Sequence, residues 1–277
     1  MPSDLTLPAA DGFPLAATRF DPAGDPGRVV LVAPATGVRR KLYRPLAEFL
    51  AGEGFAVLTW DWRGTGGSRP PSLRGFRATM RDWAERDLAG AIDHAAERWP
   101  GASLFALGHS FGGQAIGLAP NAPRLRALVT VAAQSGWWGH WPASTKLAYA
   151  ALWKVVMPLT TRALGRFPMR RLGMGEDLPA GVALEWARWC SRPEYLGDWS
   201  GHAALTLPIL AFSFADDPFA PRAAVEALHA RYGSRALTRR HVAPAEVGAK
   251  RIGHFGFFRP GVAPGLWREA ADWMSAR

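Results

Sequence analysis

A chain of 277 residues with 48% hydrophobic content is long enough for one large globular domain, or a core domain carrying an insertion, and argues against disorder. The formal charge of +10 raises nucleic acid or an acidic surface as partners, but the basic residues are nearly all arginine and run from Arg19 to Arg277. The pairs Arg39-Arg40, Arg170-Arg171 and Arg239-Arg240 stand isolated, and with no nucleic-acid-binding signature beside them a nucleic-acid partner is not expected. The single cysteine, Cys190, permits no intrachain disulfide, and Met1 to Ala10 has neither a basic n-region nor an apolar h-region. The longest apolar run, Leu147 to Leu159, is interrupted by Lys154 and falls short of the roughly 20 residues of a bilayer span. The expectation is a cytoplasmic protein without stable membrane insertion.

Along the chain, runs rich in Val, Leu and Phe read as buried strands: Val29 to Ala33, Phe55 to Trp60, Leu104 to Leu107, Leu128 to Val131 and Leu207 to Phe212, with Ala236 to Val242 as the last. Between them lie helical patterns. Leu42, Leu46, Phe49 and Leu50 form one apolar face before Gly52 and Gly54; Trp83, Leu88, Ile92, Ala95 and Trp99 form another before Pro100. This alternation predicts an α/β fold: a mostly parallel sheet flanked by helices. Between Gly136 and about Ser200 the rhythm breaks. No convincing strand is legible there and tryptophan crowds in at 137, 138, 141, 153, 186, 189 and 199, which reads as a helical cap insertion over residues 136–200. Residues 1–135 and 201–277 then form the core.

Three segments carry the chemistry. Gly108-His109-Ser110-Phe111-Gly112-Gly113 is a Gly-x-Ser-x-Gly run between a predicted strand and a predicted helix. A sharp turn there lifts Ser110 Oγ above the sheet, and the helix start aims N–H groups and a positive dipole end at a developing oxyanion, with Phe111 N–H as one donor. The structural alternative is a glycine-rich turn. A serine hydroxyl needs a base and a residue to orient that base. After the strand Leu207 to Phe212 comes Asp216-Asp217-Pro218-Phe219; one aspartate suits the orienting role, and the other is an N-cap or a solvated charge. Near the C-terminus, His254 sits between Gly253 and Gly256 after the last strand, and the order Ser, Asp, His is that of this strand–turn–helix site. His109 is the competing base, but its adjacency to Ser110 on a tight turn disfavours good geometry, so it reads as a packing or hydrogen-bonding residue. The loop Pro34-Ala35-Thr36-Gly37-Val38 should supply the second oxyanion donor, Thr36 N–H. Asp61-Trp62-Arg63-Gly64-Thr65-Gly66 imitates a phosphate-binding loop but lacks the Walker lysine and the dinucleotide spacing, and no metal-ligand spacing is present, so neither cofactor nor metal is expected.

On the Thr36 loop, Asp61-x-Arg63-Gly64-x-Gly66, the Ser110 turn, Asp217 and His254, the chain resembles the α/β-hydrolase superfamily across nearly its whole length. Glu185-Trp186-Ala187-Arg188-Trp189-Cys190 and Gly253-His254-Phe255-Gly256-Phe257-Phe258 make it most similar to bacterial predicted hydrolases of the serine-aminopeptidase-like branch. The resemblance favours Asp217 over Asp216 as the acid, since family acids sit directly before a short Pro-apolar segment. It departs from many members in having Pro34-Ala35 where they carry His-Gly ahead of the first oxyanion donor. It implies hydrolysis of an ester or thioester through an acyl-enzyme, without peptidase activity following from the branch name. An aromatic cap suggests a small apolar acyl or aromatic substrate, with about half of its tryptophans only packing the cap. Arg39 and Arg40 could draw a substrate carboxylate or phosphate, or simply start a helix. An acyltransferase with the same triad and a non-catalytic ligand-binding protein on this scaffold are the alternatives. The partner expected is a small-molecule acyl substrate, and homo-oligomer formation stays open.

Overall fold

The computed structural model describes residues 2–277. Its strands are β1 (Ser3–Pro8), β2 (Pro14–Phe20), β3 (Arg28–Ala33), β4 (Ala56–Trp60), β5 (Ser103–His109), β6 (Ala127–Val131), β7 (Arg166–Phe167), β8 (Leu178–Pro179), β9 (Ile209–Phe214) and β10 (Leu237–Val242). Eight of them build one sheet in the order β1-β2-β4-β3-β5-β6-β9-β10, parallel from β4 to β10 and antiparallel only where β1 and β2 join. The central strands β3, β4, β5 and β6 are buried almost throughout because both sheet faces are covered, which is why they read as unbroken apolar runs. Their side chains divide by alternation: Val29, Leu31 and Ala33 pack into one core, Val30 and Val32 into the other. At the open edge, β10 turns Arg239 outward and pairs Arg240 with Glu269, which discourages a further strand from adding.

Two features differ from the sequence expectation. The hairpin β1–β2 was not foreseen, because each strand buries one face only and is clipped by Pro8 and Pro14; Leu5 and Leu7 oppose Ala17 and Leu15 around a turn at Gly12, whose φ is +79°. Within 136–200, where no strand was expected, β7 and β8 form a two-residue antiparallel ladder too short for any periodicity to register. Most of the rest of that segment is helical: Ala143–Ala151, a π turn Leu152–Val156 and Met157–Leu164 run on as one rod, and Ala180–Cys190 packs against it. The chain leaves the sheet after β6 and returns to it at β9, so these helices lie beyond the carboxyl ends of the parallel strands, where a crevice forms in open α/β sheets. Among the described residues no helix is long and apolar enough to cross a membrane.

Candidate active site

Ser110 stands between β5 and the helix Phe111–Ala115 with φ +50° and ψ −115°, a backbone conformation that L side chains rarely adopt. It is held there by close packing. A Cβ on Gly108 would lie 2.5 Å from the Gly113 backbone, and one on Gly112 would run into the carbonyl of Ala33, so only glycine lets β3, β5 and the helix start approach this closely. Ser110 N–H donates to Val131 O at 2.9 Å. The Phe111 ring packs edge-on against Trp62 and Trp83, and Trp62 Nε1 donates to Pro34 O at 3.0 Å, which ties the elbow to the loop after β3. Among the described residues neither Phe111 N–H nor Thr36 N–H donates to another protein group, and the buried Thr36 hydroxyl also has no partner. Both expected oxyanion donors are thus unengaged, one at a helix N-terminus and one in a loop that lines the same cavity as Ser110.

The two aspartates divide their work. Asp217 is buried after β9: its Oδ2 lies 2.8 Å from His254 Nδ1, while Oδ1 accepts Phe219 N–H at 2.8 Å and Ala220 N–H at 3.2 Å. Asp216 is neither an N-cap nor a solvated charge, the roles expected for whichever aspartate was left over. Its carboxylate accepts Ile252 N–H at 2.9 Å and Gly253 N–H at 3.0 Å, gripping the backbone of the histidine loop just before His254. No sequence pattern announces this, since the partners are amides 36 and 37 residues away.

His109 uses both ring nitrogens. Nε2 is 2.9 Å from the carbonyl oxygen of His254, which can only accept, so Nε2 carries the proton and Nδ1 accepts from Tyr43 OH at 2.9 Å. Tyr43 OH accepts Ala35 N–H at 2.9 Å in turn. A buried chain therefore runs from the Thr36 loop through Tyr43 and His109 to His254. Burial holds the His109 pKa well below the ordinary histidine value and the Tyr43 pKa above the tyrosine value, so both stay neutral.

Ser110 Oγ is turned towards Gln134, donating to its Oε1 at 3.5 Å, and not towards His254. Gln134 Oε1 also accepts from Gln114 Nε2 at 3.4 Å, and Gln114 Oε1 accepts from Tyr195 OH at 2.6 Å. Gln134, Gln114, Tyr43 and Tyr195 went unnoticed in the sequence because none sits in a recognisable spacing.

Ser110, His254 and Thr36 open into one cavity of about 370 Å³. Trp141, Trp153 and Trp186, of the seven tryptophans in 136–200, line it; the other four pack elsewhere. Trp141 Nε1 and Tyr149 OH donate to Pro218 O at 2.9 and 3.3 Å, so the segment 136–200 rests directly on the loop after β9. Arg39 and Arg40 are not available to a substrate anion: Arg40 donates to Asp61 through its backbone N–H and its guanidinium, and Arg39 pairs with Glu176. Asp61 also accepts Gly67 N–H at 2.9 Å, so the glycine loop after β4 closes on its own carboxylate. Among the described residues no group of three or more His, Cys, Asp or Glu is placed to hold a metal ion.

The model of the family described as serine aminopeptidase, S33 matches residues 24–176. Human monoglyceride lipase is 32% identical over 106 residues, a stretch covering 38% of this chain and 33% of that one, so the chain spans a third of this relative's length. Among solved structures, a soluble variant of monoglyceride lipase from Saccharomyces cerevisiae in complex with a substrate analog aligns with a TM-score of 0.70 at 14% identity, over 99% of this chain and 94% of that chain. A highly thermostable carboxyl esterase from Bacillus coagulans, in complex with glycerol, aligns with a TM-score of 0.68 at 14% identity, over 99% and 98%. At this identity the two structures show the α/β-hydrolase fold.

Proposed function

Since this chain belongs to the serine aminopeptidase S33 family of α/β-hydrolases, we propose that it is a serine hydrolase cleaving an ester or thioester with a small apolar acyl or aromatic group, with Ser110 as nucleophile, His254 as base and Asp217 as the acid that orients the imidazole. The observation that carries this reading is the meeting of a strained serine and a buried His254–Asp217 pair at 2.8 Å around one mainly apolar cavity. The names of the relatives, lipases and an esterase, agree with it. Residues 136–200 act as a cap over the core of 1–135 and 201–277.

Asp217 Oδ2 accepts the Nδ1–H of His254, which leaves Nε2 unprotonated as the base. Ser110 Oγ rotates from Gln134 to His254 Nε2, gives up its proton and attacks the carbonyl carbon, while Phe111 and Thr36 N–H groups hold the oxyanion. The imidazolium then protonates the departing alcohol or thiol. Water, deprotonated by His254, releases the acid and restores Ser110. A resting hydroxyl turned away from the base fits an empty site, since such contacts tighten in the substrate complex. The cavity's aromatic wall suits an apolar acyl group, and the neutral His109 and Tyr43 behind it bring no charge that would compete for the oxyanion donors.

The test is labelling by a fluorophosphonate together with turnover of p-nitrophenyl esters of increasing chain length. Wild type should label and turn over, and Ser110→Ala and His254→Ala should do neither. Adding an alcohol acceptor separates hydrolysis from acyl transfer. A folded wild-type protein that fails to label would turn the reading towards ligand binding alone.

A further inference from the structure

Outside the catalytic cavity the most unusual surface is the cap's outer face. Among the described residues eight large apolar side chains stand exposed; seven lie between Leu147 and Met174, and Phe219 is the eighth. The rod formed by Ala143–Ala151, the π turn and Met157–Leu164 organises them. Ala143, Leu147, Ala151, Val155, Leu159 and Ala163 succeed one another at i+4, and all six are exposed, Leu147 by 80% and Leu159 by 62%. A strict i+4 stripe drifts around an α-helix of 3.6 residues per turn, and the wider π turn in its middle works against that drift. The opposite face of the same rod, Ala148, Tyr149, Leu152 and Trp153, lines the cavity. The rod is therefore apolar towards the cavity and apolar towards the outside. A helix hydrophobic on opposite faces is normally buried on both.

Charge identifies what could cover it. From Arg98 to Gly175 the sequence contains no aspartate or glutamate, while the cap contributes Lys146, Lys154, Arg162, Arg166, Arg170 and Arg171. Arg166 and Arg170 are paired with Asp177 and Glu176 at the segment's end. Lys154 and Arg162 flank the apolar stripe, are exposed, and form no salt bridge among the described residues. The seven exposed side chains between Leu147 and Met174 include no aromatic ring, whereas Trp141, Trp153 and Trp186 turn inward. A protein interface concentrates aromatic anchors at its centre; aliphatic side chains bordered by cations, with the neighbouring Glu185 held by Arg188 and the Arg81 amide, match a helix lying in the plane of an anionic lipid surface.

We propose that the cap docks through this stripe on a membrane surface bearing anionic lipid headgroups, without spanning it. Met174, both exposed and a cavity-lining residue, makes the apolar surface continuous with the site. Docking itself does not depend on the chemistry at Ser110. Its consequence, that the ester is drawn from lipid and not from water, rests on the esterase reading above.

The experiment is sedimentation of the full chain, carrying Ser110→Ala so that no lipid is consumed, with vesicles of phosphatidylcholine alone or mixed with phosphatidylglycerol. Strong binding to the mixed vesicles is expected. Weakening by about tenfold or more should follow from neutral vesicles, from Leu147→Ser with Leu159→Ser, and from Lys154→Glu with Arg162→Glu. Both double variants, made in the active chain, should keep wild-type turnover of a short water-soluble ester, which separates lost docking from lost folding. Absence of binding to the mixed vesicles, or equal binding by all variants, overturns the proposal. So does a wild-type dimer in sedimentation velocity that the leucine variant dissociates, if vesicles bind neither. Fluorophosphonate labelling of the wild type reports on the esterase reading separately.

Discussion

Asp216 and Asp217 are neighbours of the same chemical type, yet their surroundings assign them different work. Asp217 Oδ2 meets the imidazole, and Asp216 accepts two amides of the loop that presents it. Asp217→Asn should leave the fold intact but favour the wrong histidine tautomer, lowering kcat by about 10³–10⁴ in the p-nitrophenyl ester assay. Asp216→Ala should instead strand two loop amides. Urea unfolding should register a loss of about 1–3 kcal/mol, with a far smaller fall in kcat than Asp217→Asn produces. An equal collapse of turnover in both variants would contradict this division. The segment Asp216-Asp217-Pro218 announces an acidic loop but does not say which carboxylate turns to His254, because that depends on how the loop folds back over β9. His109 is a parallel case. Its place beside Ser110 is visible in the sequence, whereas its partners Tyr43 and His254 O come together only when the loops after β3 and β10 meet.

At the scale of elements, the strand–turn–helix around Ser110 is the most legible piece of the chain. Its glycines are there for contact as much as for flexibility. Gly112→Ala should drive a methyl group into the Ala33 carbonyl and destabilise the protein by about 1–3 kcal/mol, with loss of fluorophosphonate labelling as the elbow shifts. Gly265, in the helix Pro264–Ser275, has open space where a Cβ would stand; Gly265→Ala should be neutral or stabilising by up to about 1 kcal/mol. Thermal melts of the two variants compare them directly, and similar losses would show that glycine at 112 is not required by packing. The elements that escaped the sequence share a physical cause. β1 buries only Leu7 and ends at Pro8, β2 starts at Pro14 and buries only Leu15, Ala17 and Phe20, and β7 and β8 are two residues each, so neither pair carries enough apolar periodicity to stand out.

Over the whole molecule, two buried histidines that do not line the Ser110 cavity should link stability to pH. His202 Nε2 donates to Gln114 O and so carries the proton; His229 donates from Nδ1 to Val225 O and accepts from Thr130 through Nε2. Burial lowers both pKa values to about 4, against 6.5 when unfolded. Between those values the unfolded chain binds more protons than the folded one, so each histidine's contribution is complete above pH 6.5 and is lost as pH falls towards 4, by about 3 kcal/mol apiece. His229→Gln should flatten the dependence of unfolding free energy on pH across that window, and an unchanged slope would show that His229 is not buried as a neutral ring. The same distinction between local and global causes applies to the entire protein. The strands β3, β4, β5, β6, β9 and β10, the Ser110 turn, the acidic loop and His254 are sequence-local, because backbone sterics and apolar periodicity act over a few residues, and the sequence alone determined them. The grip of Asp216 on the histidine loop, the Tyr43–His109 bridge, the choice of three tryptophans for the cavity wall and the exposure of the apolar stripe over 143–163 depend on how separate chain segments meet in space. Only the packed tertiary structure decided those.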